Sequence, residues 1–194
     1  MHYPIELHFK LLTFGQRVTA VDANGQVLMY IKQKMFKLKE NVEIFSDEDQ
    51  TRLLFRIAAD RMIDFSANYH FTDSGGNDWG AVRRKGMKSF WSAHYDVMQD
   101  GVVDMTINEE SPVKKVMEGL LGEIPLIGFV ASYLINPSYL LTRPDGTPVL
   151  RLTKQPAFFE GRFTLEKLTD IPEDDELRSL MAIIMLVLLE RSRG

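Results

Sequence analysis

The chain has no cysteine among its 194 residues. That excludes disulfides, thiolate nucleophiles, thiolate-held zinc and palmitoylation, and it is compatible with a reducing compartment. It also lacks an excess of positive charge. Lys+Arg number 23 against 27 Asp+Glu, a formal net charge of -4, whereas a dedicated nucleic-acid binder is usually basic overall. No nucleic-acid partner is expected. Nor is there a transmembrane span. The unbroken apolar run near the C-terminus, residues 180–189, has ten residues; as a helix it rises roughly 15 Å, against a hydrocarbon core of about 30 Å. The opening "MHYPIELHFKLLTF" has no basic stretch followed by an apolar one, so it reads as a strand and not as a secretory signal. Nucleophile-elbow and kinase motifs are missing, "GGNDWG" lacks the Gly-Lys-Ser/Thr end of a phosphate loop, and the histidines (His2, His8, His70, His94) have no metal-ligand spacing. "DSGGND" lacks the ligand spacing and glutamate of a cation loop and reads as a turn. No catalytic residue, metal site or cofactor is therefore assigned.

What is present begins with "SLMAIIMLVLLERSRG". Pro172 suits a first helical turn, Glu173, Asp174, Asp175 and Glu176 complement the N-terminal end of a helix dipole, and Arg191 and Arg193 complement the C-terminal end. The pattern predicts a helix over 172–191. A helix apolar on every side, yet too short for lipid, is expected to be buried on every side by protein.

The rest of the chain repeats one form. "VTAVDANGQVLMYIK", "VEIFSDEDQTRLLFRI", "NYHFTDSGGNDWGAVRR", "HYDVMQDGVVDMTI" and "SYLLTRPDGTPVLRL" each read as strand, turn, strand. The turns carry the Asp, Asn, Gly and Pro that tight reversals require. The flanks alternate: Val42, Ile44, Phe55 and Ile57 fall on one face, Glu43, Arg52 and Arg56 on the other. Five hairpins, a strand near residues 5–12 and "FFEGRFTLEKL" make about twelve strands. So many antiparallel strands close to remove their edges, and a barrel that wide needs a filling. The expected fold is all-β with helices: a closed antiparallel barrel of about 12 strands enclosing the hydrophobic C-terminal helix, one domain over 1–194, with a helical insertion at 111–137.

The hairpin "VDANGQVLMYIKQK", with "YLLTRPDGTPVLRL", "FFEGRFTLEKL" and the terminal helix, resembles the Tubby C-terminal-like superfamily, and within it the LURP-one-related group, related to phospholipid scramblases. The resemblance covers nearly the whole chain outside the insertion. It implies association with anionic lipid, or a scaffold role, more than catalysis. The cysteine cluster and acidic calcium segment of scramblase-like members are missing, so calcium-dependent scrambling is not expected.

Two segments are candidates for function. "GAVRRKGMKSFW" holds Arg83, Arg84, Lys85 and Lys88, followed by Phe90 and Trp91. It reads either as a basic rim for phosphate head groups with an aromatic wedge, or as a solvated loop whose aromatics join the next strand. A second basic stretch, Lys32, Lys34, Lys37 and Lys39, would strengthen the lipid reading if it lay beside the first. The insertion, with Ser111 and Pro112 as helix-start residues, reads as a cap on the barrel or as a membrane- or partner-contacting element. The expected function is that of a non-enzymatic cytoplasmic protein, peripheral to a membrane, binding anionic phospholipid through Arg83, Arg84, Lys85 and Lys88. The alternatives are a protein-interaction scaffold with an unknown protein partner, or an enzyme with a pocket at a barrel mouth.

Overall fold

Alternating apolar residues build every wall of the molecule. In the computed structural model, which describes residues 1–12, 15–34, 41–61, 67–85, 94–110, 137–155 and 161–191, the strands follow the expected hairpins. They are β1 (Ile5–Leu12), β2 (Gly15–Val21), β3 (Val27–Lys34) and β4 (Asn41–Phe45). Next come β5 (Leu53–Ala59), β6 (Asn68–Asp73), β7 (Asp78–Arg84) and β8 (His94–Gln99). The wall is completed by β9 (Val102–Glu110), β10 (Ser138–Thr142), β11 (Pro148–Gln155) and β12 (Gly161–Lys167). Each strand pairs antiparallel with its neighbour in sequence. β1 pairs with β12, Ile5 opposite Leu165, and closes the barrel. The twelve-strand closed barrel and its C-terminal helix are thus as expected. The insertion lies outside the described residues over 111–136.

The lumen is filled by helix α1 (Glu173–Arg191). Its acidic first turn sits at the positive end of the helix dipole. From Leu180 to Leu189 no residue is more than 7% exposed. Inward residues such as Ile5, Leu7, Val18, Ile31, Ile44, Ile57 and Leu165 meet it. Met181 and Met185 help fill the space, as flexible side chains do where helix curvature and barrel curvature differ. The outer face is the reverse. Arg17, Lys32, Glu43 and Arg56 are successive cross-strand neighbours that form a charged belt around one side. A membrane-spanning barrel needs apolar residues there. Among the described residues, no helix is long and apolar enough to cross a membrane.

Because the chain runs up and down in sequence order, alternate connections fall at opposite ends. At one end are the five tight turns and the start of α1. Here Asp22 accepts the backbone N–H groups of Asn24 and Gln26 (2.9 and 3.0 Å), and Asp73 those of Gly75 and Asn77 (2.8 and 2.9 Å). Asp145 does the same for Thr147 (2.8 Å). α1 is tied down at this end by Arg178, whose side chain is 3% exposed. Its Nε donates to Trp79 O (3.1 Å), and its Nη1 to Asp104 Oδ2 and Asp175 Oδ1 (both 2.9 Å). Gly80, at φ +102°, makes room: a Cβ there would lie 2.2 Å from Met98 O and 3.1 Å from Arg178 Cδ. Beside it the buried Glu176 accepts from Lys167 Nζ at 2.5 Å.

Candidate functional site

The candidate residues lie where β7 and β8 reach the opposite end of the barrel, the end at which α1 finishes. Alternation splits them. Val82 faces the core, so Arg84 points toward the lumen, and Arg83 and Lys85 belong to the outer face. Lys88 lies outside the described residues, as do Phe90 and Trp91.

On the inner face, Arg84 stands opposite Tyr95. Its guanidinium lies 4.0 Å from Glu190 Oε1 and 6.0 Å from the centre of the Tyr95 ring. The Tyr95 hydroxyl donates to Glu190 Oε1 at 2.6 Å. Burial, and then the bond to Glu190, push the Tyr95 phenol far above its ordinary pKa; burial does the same to Tyr139. Both phenols stay neutral donors at any working pH. At this mouth Arg84, Tyr95 and Glu190 address one another. Arg84 fastens the last turn of α1 to the wall.

On the outer face, the side chains of Arg83, Lys85 and His94 converge on the carboxylate of Asp96. Arg83 is directly opposite Asp96, and the Lys85 N–H bonds His94 O at 2.9 Å. Asp96 is 1% exposed although its strand neighbours Tyr95 and Val97 take the inward positions. Arg83 Nη2 donates to its Oδ2 at 3.1 Å. Lys85 Nζ is 3.8 Å and His94 Nε2 3.4 Å from Oδ1, which accepts no hydrogen bond among the described residues. His94 Nδ1 meets Asn108 Oδ1 at short range. With the ring proton on Nδ1 for that bond, a neutral His94 has none to offer Asp96. One carboxylate thus balances two permanent cations, whose side chains remain 38% (Arg83) and 65% (Lys85) exposed. A carboxylate this deeply buried is tolerable because it is paired.

Of the second basic stretch, Lys32 does not join the first, and the side chain of Lys34 lies outside the described residues. Three strands, β4 to β6, separate β3 from β7, and Lys32 Nζ donates to Gln50 of the far turns at 3.2 Å. Lys37 and Lys39 are outside the described residues. His70 pairs opposite Ala81 on β7, and His94 stands beyond it on β8, so the two histidines do not form a pair. Among the described residues, no three acidic or histidine side chains converge as metal ligands.

Charge is sorted along the barrel axis. Among the described residues, the turn end carries Asp22, Asp47, Glu48, Asp49, Asp73, Asp100 and Asp145 together with the acidic start of α1, against Arg52, Arg143 and Lys167. Around the other end stand Lys10, Arg17, Arg61, Lys154 and Arg162 in addition to Arg83, Arg84 and Lys85, against Asp60, Asp96, Glu109, Glu110 and Glu190. The acidic end therefore coincides with the start of α1 and the basic end with its finish, each opposing the local helix dipole.

An up-and-down barrel of twelve antiparallel strands wound on a buried terminal helix defines the Tubby-like class of fold. Residues 27–118, from β3 through β9 and beyond, match the family model described as LURP-one-related, a family of that superfamily. No curated protein and no solved structure matches the chain.

Proposed function

We propose that this is a non-enzymatic protein that docks on anionic phospholipid with the end of the barrel where β7 and β8 meet. Arg83, Lys85 and Lys88 make the contacts, and Arg84 supports them from behind by holding α1. The observation that carries this reading is the uneven pairing on the outer face: Arg83 and Lys85 share the single carboxylate of Asp96 and remain open to solvent. The sorting of charge supports it, because the basic end faces an anionic surface while the acidic turns point away. The cytoplasmic leaflet, where anionic lipids concentrate, is the matching surface. Binding rather than chemistry also fits a lumen occupied by apolar helix instead of substrate.

Liposome flotation tests this. Vesicles of phosphatidylcholine alone should leave the protein in solution, and vesicles containing phosphatidylserine should carry it at low salt and release it at high salt. Basic residues near an anionic surface contribute about 1 kcal/mol each. Changing Arg83, Lys85 and Lys88 together to alanine should therefore weaken binding about a hundredfold. If nothing binds at any salt or composition, the lipid reading fails, and a protein-interaction scaffold replaces it.

A further inference from the structure

We propose that Asp96 is a resident counter-anion that competes with the membrane for Arg83 and Lys85, and so sets the density of anionic lipid at which the protein docks. This rests on the docking surface just proposed and assigns a regulator within it. The geometry has three parts. Asp96 is 1% exposed and sits on the outer face, opposite Arg83 and within reach of Lys85. It engages them with different oxygens, Oδ2 toward Arg83 at 3.1 Å and Oδ1 toward Lys85 at 3.8 Å. Among the described residues its Oδ1 accepts no hydrogen bond, so the contact with Lys85 is electrostatic and open to exchange. Such a carboxylate lowers the positive potential that an incoming phosphate meets, and at these distances it is poorly screened. A sparse anionic surface does not outcompete it. A dense one outcompetes it first for Lys85, whose contact is the longer and whose side chain is the more exposed, while Arg83 keeps its bond to the buried carboxylate.

Asparagine at 96 keeps an acceptor oxygen for Arg83, removes the charge, and puts an amide NH2 donor where Oδ1 faced Lys85 and His94. The test is flotation at one salt concentration over phosphatidylcholine vesicles with a rising fraction of phosphatidylserine, with the folded state of each variant checked by its Tm. Asp96→Asn should reach half-maximal binding at a lower phosphatidylserine fraction, with affinity at a given fraction raised about tenfold. Lys85→Met should need a higher fraction than the wild type. The double variant Arg83→Gln with Asp96→Asn makes the buried pair neutral and leaves Lys85 unopposed. It should dock at least as well as the wild type, and it carries the test if Asp96→Asn alone does not fold. Unchanged or weaker binding by folded Asp96→Asn, or binding by the double variant that is weaker than the wild type's, while the wild type still docks, overturns the role of Asp96 and leaves the lipid reading standing. Absence of wild-type binding at every fraction overturns both.

Discussion

At the scale of single residues, aspartates hold the turns. Asp73 accepts from the Asn77 side chain (2.7 Å) and backbone, the Gly75 N–H and the Trp79 indole (3.3 Å). The Asn77 bonds chiefly hold its carboxyl down at about 2, against an ordinary value of 3.8. A depressed folded-state pKa contributes stability that is fully present above the unfolded value and is lost as pH falls through the folded one. Asp73→Asn should therefore lower Tm most above about pH 5, with the gap to the wild type closing as pH approaches 2. Thermal melts across that range check it, and a gap that does not change with pH contradicts it. These turn aspartates were legible in the sequence because Asp and Gly at a reversal carry their own mechanism. Asp96 was not. Its strand pattern put it on the polar face, but residues 86–93 between β7 and β8 carry no tight-turn motif, so nothing in the sequence set the register that brings it opposite Arg83. The same alternation did contain the division of Arg84 from Arg83 and Lys85, which treating the basic run as one patch obscured.

At the scale of elements, the wall and the plug need each other. Helix α1 has no polar face to turn toward water, and a twelve-strand barrel has a lumen that its own side chains do not fill. Ile184 lies in the middle of the buried run and is 0% exposed. An aspartate there would place an unpaired charge in the lumen, a cost comparable with the whole stability of a domain, about 5–15 kcal/mol. Ile184→Asp should yield no soluble folded protein; a folded variant with unchanged Tm would refute the interdependence. Strand count, turn positions and the helix could all be read in advance because each rests on a local signal, period-two alternation, turn chemistry or a continuous apolar run. The fasteners of the helix rest on no local signal. Arg178 reaches Trp79 and Asp104, and Glu190 reaches Tyr95, only across the closed barrel.

At the scale of the whole molecule, a net charge of -4 hides a dipole. Topology reveals it, because an up-and-down chain sends alternate connections to opposite ends, and the acidic ones are the tight turns. With strand order in hand this could have been read from the sequence; total charge alone averages it away. The dipole also gives the docked protein one orientation, with the finish of α1 toward lipid and its start toward solvent. The absence of cysteine makes that orientation directly measurable. A fluorophore is attached to a single cysteine, either at Lys154→Cys on the basic end or at Val102→Cys in the turns, both exposed positions. The labelled protein is then mixed with phosphatidylserine-containing vesicles that carry nitroxide lipids as quenchers. The account predicts quenching at position 154 and none at position 102. Quenching at 102, or equally at both, would contradict docking through the basic end.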